Sequence, residues 1–491
     1  MRCSIILKNI IYKFSLEILR IFIPIISVPY IYRIFKPEIM GNIEFSQSIT
    51  GYFFIFAGFG VYTYGLREVS RVRNDEKKKN KLFTELFLIS TISSILITVI
   101  YLLYIFFKFD NILLKKILLI NSIQLISYIF YIEWINEAFE DYNFISKKTI
   151  IVKLLNVVCI FLFIKISNDF NKYLYIINIF IFINNFISFI YIRKYIKFDF
   201  KNLKLKKYLL PLSLLVLISN INVLYTRLDR IFLGFYGNIE EVAYYGVAQK
   251  VMSIFMVIIM SIINVTIPRL SFYLGQNQKY EYENLFNKIF PFVYLLLFPI
   301  GIGIIILSKE ISLFFGGTAY LPAQAVVTIF GMRMIVVTIE SLLSNHVIFL
   351  NKKEKVIAII IGIFGILNLL TKYFLIKFNC FNAASAIFTT MIAEILTVNF
   401  YYWYIKKYLK LNLKIFKIEN FKYLFFSLLF FPIGYTLRKF NFHYIVYSVI
   451  VFIFSAGIYL IILLMIKDKC IKEILEKINI NKFFSKWKNQ S

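Results

Sequence analysis

The sequence predicts an all-α polytopic membrane protein of about fourteen transmembrane helices, and three observations predict it. Of its 491 residues, 60% are hydrophobic and 19% aromatic, with a mean hydropathy of +0.74. A soluble globular domain carries roughly 45–50% apolar residues and could not hide the excess. Charged residues make up only 17%, in short clusters between apolar stretches of about 18 to 25 residues, the length that crosses a bilayer core as a helix. Lys and Arg concentrate in alternate loops, which is the orientation signal of membrane proteins.

The predicted spans cover 10–34, 43–65, 83–107, 113–135, 148–166, 173–192 and 209–231, then 242–268, 288–308, 322–350, 355–376, 382–405, 420–437 and 443–466. Backbone groups in hydrocarbon must bond within their own segment, so each span is a helix. The start, Met1 to Lys13, is basic and leads into an apolar run with no small-residue cleavage site before Arg20 and Arg33, so an uncleaved first span is expected. With the N-terminus cytoplasmic, roughly 38 Lys and Arg fall on its side and about 13 on the other. The largest clusters are Arg67 to Lys81, Arg193 to Lys207, Lys406 to Lys422 and the tail after Lys467. An even number of spans in the inner (cytoplasmic) membrane, with both termini cytoplasmic, fits that count.

Chain organisation suggests two pseudo-symmetric six-helix lobes, 1–200 and 201–410, followed by a final helix pair with a basic cytoplasmic tail, 411–491. Such repeats are common in transporters. Glu38-Ile-Met-Gly-Asn-Ile-Glu-Phe-Ser-Gln47 can be laid on Glu240-Glu-Val-Ala-Tyr-Tyr-Gly-Val-Ala-Gln249, while Gly41-Asn-Ile-Glu recurs as Gly237-Asn-Ile-Glu at a different offset.

Charged side chains inside spans cost several kcal/mol unless they face water, a partner or a cavity, so they are the functional candidates. Arg20 lies mid-span with Glu17 one turn earlier on the same face, either a self-neutralising packing pair or a cavity charge. Lys250, one turn inside span eight, either lines a cavity or snorkels to the interface. Arg227, Asp229 and Arg230 cluster at the end of span seven: an interface anchor with Asp229 as counter-ion, or two guanidiniums suited to bidentate capture of phosphate oxygens. Arg333 and Glu340 share nearly one face of span ten, with His346 further along. Glu340 takes a coupling proton or pairs with Arg333 or another helix. Lys153 and Glu394 are candidates of the same kind. The Glu133-Trp-Ile-Asn-Glu137 stretch reads as a solvated anchor beside an aromatic rather than an acid/base pair. Pro24, Pro29, Pro211, Pro268, Pro291 and Pro299 interrupt spans or their ends, as packing kinks or hinges.

Several classes are disfavoured. A net charge of +29 would suggest nucleic acid in a soluble protein, but no loop is long enough to fold as a nucleic-acid module. Cys3, Cys159, Cys380 and Cys470 are scattered, with no spacing for a metal site or a disulfide framework. There is no Gly-Lys pair, hence no P-loop for ATP. No cofactor is expected. The absence of Asp-x-Asp and of long outer loops argues against a sugar transferase or membrane-embedded polymerase, so a transporter is expected rather than an enzyme.

Short motifs recur in order along the chain: Pro37-Glu-Ile-Met-Gly41, Tyr64-Gly-Leu-Arg-Glu-Val-Ser-Arg71, Trp134 with Phe139-Glu-Asp-Tyr142, Leu228-Asp-Arg-Ile-Phe-Leu-Gly234, Glu241-Val-Ala-Tyr-Tyr-Gly-Val-Ala-Gln-Lys250, Thr266-Ile-Pro-Arg-Leu270 and Asn351-Lys-Lys-Glu-Lys355. Over about residues 10 to 470 the chain thereby resembles the polysaccharide repeat-unit flippases (Wzx type) of the multidrug/oligosaccharidyl-lipid/polysaccharide exporter superfamily. It departs from them at Ala243, where a Gly is expected. The resemblance implies two six-helix lobes around a cavity that opens alternately to each side. It also implies a substrate, undecaprenyl-pyrophosphate-linked oligosaccharide, used to build O-antigen or capsule. Cavities of this family tend to be cationic, which makes Arg20, Arg227, Arg230, Lys250 and Arg333 the substrate-binding candidates, with Glu17, Asp229, Glu340 and Glu394 as coupling or counter-ion candidates. An H+ or Na+ gradient would drive the step. Partners would be membrane lipid, a polysaccharide polymerase and a chain-length regulator. A cation-coupled drug antiporter of the same superfamily is the rival; it predicts twelve spans and an acidic interior.

Overall fold

Apolar runs become helices here where short polar residues close their first turns. The Asp75 carboxylate accepts the Lys78 N–H, Asn111 accepts from Leu114 and Asp141 from Phe144, each satisfying a donor that the helix leaves open. Pro37 starts another helix at a position where its missing N–H costs nothing. The computed structural model describes residues 2–478, with the side chains of 2–11, 13–15, 17, 20, 214, 217–226, 475, 477 and 478 outside the description.

The chain divides into two compact units, Met1–Gly246 with Asn379–Ala383, and Val247–Phe378 with Ala384–Ser491. The first holds α1 (Arg2–Ile34), α2 (Pro37–Ala57), α3 (Val61–Val72), α4 (Glu76–Lys108), α5 (Ile112–Ser127), α6 (Glu133–Ala138), α7 (Tyr142–Phe163), α8 (Phe170–Ile192), α9 (Lys206–Tyr236) and the first turns of α10 (Ile239–Asn264). Within it α2 packs on α4, α5 and α9, α5 on α8, α8 on α7, and α7 on α1. The second holds the rest of α10, then α11 (Ile267–Gly275), α12 (Lys279–Ile306), α13 (Ser308–Gly316), α14 (Ala323–Leu343), α15 (Glu354–Lys377), nearly all of α16 (Ala383–Tyr404), α17 (Lys422–Leu428), α18 (Phe430–Arg438), α19 (Tyr444–Met465) and α20 (Lys469–Ile478). Its central helix is α12, which packs on α11, α14, α17 and α18.

Among the described residues there is no strand, and ten helical segments are long and apolar enough to cross a membrane. Each of the fourteen predicted spans falls on a helix or a broken pair. Four predicted spans are broken: 43–65 between α2 and α3, 113–135 between α5 and α6, 242–268 between α10 and α11, and 420–437 at Leu429 between α17 and α18.

Polarity is distributed as a bilayer demands. Large apolar side chains face outward, such as Phe107 on α4, 81% exposed, and Phe452 on α19, 68% exposed. Polar ones turn inward: Asn121 donates to Ser46 Oγ at 3.0 Å and Asn178 to Asn121 Oδ1 at 3.2 Å, joining α2, α5 and α8. Such bonds hold helices together where hydrophobic burial between them is weak. With this all-α, multi-span architecture the chain is a polytopic membrane protein.

A different kind of core closes one end of the first unit. Trp134 of α6 is 1% exposed, among Val69, Phe83, Leu86, Ile135 and Leu212. The basic connection between α8 and α9 is fastened over it. Lys197 N–H donates to Asn80 Oδ1, Asp199 N–H to Thr84 Oγ1 and Lys204 N–H to Glu85 Oε1, at 2.8–3.0 Å. Glu85 Oε2 accepts the Tyr208 hydroxyl at 2.7 Å. Replacing Trp134 with Ala should cost about 3–5 kcal/mol of stability, read as a lower thermal midpoint in detergent. Phe452→Ala, on the outward surface, should stay within about 0.5 kcal/mol; equal effects would contradict the packing described.

Candidate functional site

The first unit gathers charge where α9 meets α2. Near its end, α9 carries Arg227, Asp229 and Arg230, and opposite them the well-buried helix α2 carries Glu44. Arg230 Nη1 donates to Glu44 Oε2 at 2.7 Å, and the Tyr32 hydroxyl of α1 donates to Glu44 Oε1 at 2.7 Å. Glu44 is 1% exposed and the Arg230 side chain 15%. Gly246 of α10 makes room for this pair, because a side chain there would press on the Tyr32 hydroxyl and the Glu44 carboxyl. Asp229, also buried, accepts the Tyr245 hydroxyl at 2.8 Å.

Arg227 is placed differently. Its half-buried guanidinium lies over Gly51 of α2, where any side chain would occupy the same space, and within electrostatic reach of Tyr52. Among the described residues no carboxylate pairs with it. The α9 cluster therefore separates into one guanidinium that is neutralised in place and one that is not. Such an uncompensated guanidinium suits an anion with paired oxygens, such as a phosphate.

The second unit holds its own buried charges. Arg333 of α14 grips Glu394 of α16 through two parallel bonds, Nε to Oε2 at 2.8 Å and Nη2 to Oε1 at 2.5 Å, with both side chains about 5% exposed. Glu340, two turns along α14, is within electrostatic reach of both members of that pair and of Tyr401. The Tyr401 hydroxyl is buried without a hydrogen-bond partner among the described residues. His346 is fully buried, its Nε2 3.2 Å from the Ile263 carbonyl. Nearby, Lys372 and Asn368 of α15 both donate to Thr390 Oγ1 of α16 at 3.2 Å.

The structure thus brings Arg227, Asp229 and Arg230 together in one unit, and Arg333, Glu340 and Glu394 together in the other. Lys250 is half-buried on α10 and Lys153 half-buried on α7, and both have partners. Arg20 and Glu17 lie outside the described residues. Sequence reasoning passes over Glu44 and Lys372; the signal that marks both is a charge just inside an apolar run. It also misjudges Glu133, which is no solvated anchor. Lys148 Nζ donates to Glu133 Oε2 at 2.6 Å and to Ser188 Oγ at 2.7 Å, and the Ser188 hydroxyl donates to Glu133 Oε2 at 3.1 Å, with the Lys148 side chain 2% exposed.

The sequence profile of a family described as "Polysaccharide biosynthesis protein" matches residues 6–274, and that of "MatE" matches residues 215–374. A relative from Shigella dysenteriae, "Putative O-antigen transporter", is 23% identical over 400 residues, which is 80% of this chain and 98% of its own. Among solved structures, "Lipid II flippase MurJ, inward closed conformation" superposes with a TM-score of 0.70 at 18% identity, covering 94% of this chain and 99% of its own. An inward-facing multidrug resistance MATE family transporter of the MOP superfamily gives 0.62 at 12% identity, covering 80% and 96%. At those identities the two structures share the fold with this chain.

Removing one partner of a buried ion pair strands the other. Glu44→Gln should therefore cost about 3–5 kcal/mol, seen as a lower thermal midpoint. The double variant Glu44→Gln/Arg230→Gln should recover most of that loss; equal destabilisation of single and double variants would show that the pair is not coupled.

Proposed function

The chain belongs to the polysaccharide biosynthesis protein family, and from that premise we propose that it carries lipid-linked oligosaccharide units across the membrane. It is a transporter and not an enzyme. The relative named as an O-antigen transporter, aligned along most of the chain, and the fold shared with a lipid II flippase support this reading. We take the carrier to be undecaprenyl pyrophosphate and the membrane to be the cytoplasmic one, with both termini inside. The polymerase and chain-length regulator that act on the product are its proposed partners.

The observation that carries the mechanism is Arg227. A diphosphate that leaves water loses the hydration of its charge, and a guanidinium held without a carboxylate offsets that cost through two parallel hydrogen bonds. The polyprenyl tail stays in lipid while the diphosphate and sugars cross by alternating access. Lys250 and Arg20 are the further cationic residues proposed for the substrate. Arg230 and Arg333, closed by Glu44 and Glu394, take part by holding their helices in register.

Direction is supplied by a proton or sodium gradient. Glu340, beside the Arg333–Glu394 pair, is the proposed coupling carboxylate. The match of the MatE profile across residues 215–374, which include Arg333 and Glu340, favours a second reading, a cation-coupled small-molecule antiporter.

Arg227→Ala should abolish flipping: undecaprenyl-linked oligosaccharide accumulates on the cytoplasmic leaflet and surface polysaccharide disappears. Because no carboxylate is stranded, the amount of protein in the membrane and its thermal midpoint should not change. Wild-type polysaccharide from Arg227→Ala, Lys250→Ala and Arg20→Ala alike would remove the cationic path, and unchanged polysaccharide with altered drug tolerance in a deletion strain would favour the antiporter. In proteoliposomes an imposed proton gradient should accelerate the wild type but not Glu340→Gln. Equal acceleration of both would exclude Glu340 from coupling.

A further inference from the structure

A cavity of about 350 Å³ opens in the first unit where the start of α4, α6, the turn after α6 and the end of α8 meet. Its polar lining is Lys79, Asn136, Glu140, Asp141, Tyr191 and Tyr195. It lies beside the basic Arg67–Lys81 and Arg193–Lys207 segments. Its volume is at the small end of the roughly 300–1,000 Å³ range of small-molecule sites.

One side chain in this cavity lacks the partners that burial demands, and an ammonium lies beside it. Asn136 is 1% exposed, and both its Oδ1 and its Nδ2 are buried without a hydrogen bond among the described residues. Lys79 is 9% exposed. Among the described residues it makes no ion pair and no side-chain hydrogen bond; the ring of Phe139 lies 5.6 Å from its Nζ. Buried polar groups are nearly always satisfied, and leaving one unmade is costly. A carboxamide left open on both sides calls for a ligand that donates and accepts, and an open ammonium calls for acceptors.

The charges around the cavity decide which ligand that is. Arg73 Nη1 is paired with Glu140 Oε1 at 3.1 Å. Asp141 Oδ1 accepts the Phe144 N–H at 3.2 Å, and its Oδ2 accepts the Tyr191 hydroxyl at 2.6 Å. Within the lining itself Lys79 faces two carboxylates, Glu140 and Asp141, which a phosphate or a carboxylate would have to stand beside. Hydroxyl groups fit better, because each donates and accepts at once. Tyr195 is half-exposed, with Tyr191 and Phe139 beside it, and offers a flat apolar face to the C–H side of a ring.

We propose that this cavity binds a neutral, hydroxyl-rich ring of monosaccharide size, with Asn136 and Lys79 as its main hydrogen-bonding residues. The ring is either a soluble sugar or the sugar of a lipid-borne chain. Binding at this site does not rest on the transport reading.

The test uses the full chain in nanodiscs, with methyl glycosides of glucose, galactose and N-acetylglucosamine as probes and inorganic phosphate as the control. At least one glycoside should raise the thermal midpoint saturably, as mass action requires, and phosphate should not. Asn136→Leu and Lys79→Met should each weaken that glycoside about tenfold or more. Tyr195→Ala, at the half-exposed rim, provides a variant that folds even if the buried ones do not, and it should weaken the glycoside too. Competition by a polyprenyl-phosphate-linked monosaccharide, but not by polyprenyl phosphate, identifies the lipid-borne source; glycoside binding without such competition identifies the soluble one. A shift with phosphate that Lys79→Met removes, or no shift with any glycoside, overturns the proposal.

Discussion

A charge inside hydrocarbon must find its counter-charge within the protein, and much of the helix pairing in both units follows from that constraint. Isolated, Arg230 on α9 or Arg333 on α14 would each cost several kcal/mol. Each is instead closed by a carboxylate from a helix far away in sequence, 186 residues for Arg230 and Glu44 and 61 for Arg333 and Glu394. Such pairs add little net stability over well-packed apolar side chains, since desolvating both ions consumes most of the attraction. Their effect lies in registry. The bidentate Arg333–Glu394 contact tolerates little sliding, so α14 is fixed against α16, and the single Arg230–Glu44 bond joins α9 to α2. Lys148, bonded to Glu133 and Ser188, ties α7 to α6 and α8 in the same way.

Long apolar runs were legible because length and composition alone decide whether a segment crosses a bilayer. That is why every predicted span coincides with helix, including the final pair. The breaks were not legible, since they depend on what a segment packs against. α6 leaves the line of α5 because Trp134 is drawn into the core beneath α3 and α4, and nothing in the run from 113 to 135 states that those helices wait there. The charge clusters were half legible. Arg227, Asp229 and Arg230 announce themselves by density, and Arg333 by its place in mid-span. Glu394, the partner of Arg333, stands out in the same way, but Glu44, the partner of Arg230, does not, because hydropathy has no term for a pairing that spans 186 residues. Glu44 looks like an interfacial carboxylate at the edge of its run, and Glu133 looks the same beside an aromatic. Both are interior.

The same constraint separates structural from functional charge. Arg230 and Arg333 are committed to neighbours that they cannot leave without stranding a carboxylate. Arg227, one turn before Arg230, has a glycine where Arg230 has a glutamate: Gly51 gives its guanidinium space, and no carboxylate among the described residues claims it. The diphosphate-linked substrate proposed for this chain calls for such a group, one whose compensation arrives with the substrate and departs with it. Were Arg227 paired as tightly as Arg230, an incoming diphosphate would have to displace a buried carboxylate, and the cost of stranding that ion would cancel the gain from binding. The contrast between two arginines on one helix thus fits the proposed transport site: one charge bonded to hold α9 against α2, the other open to the load.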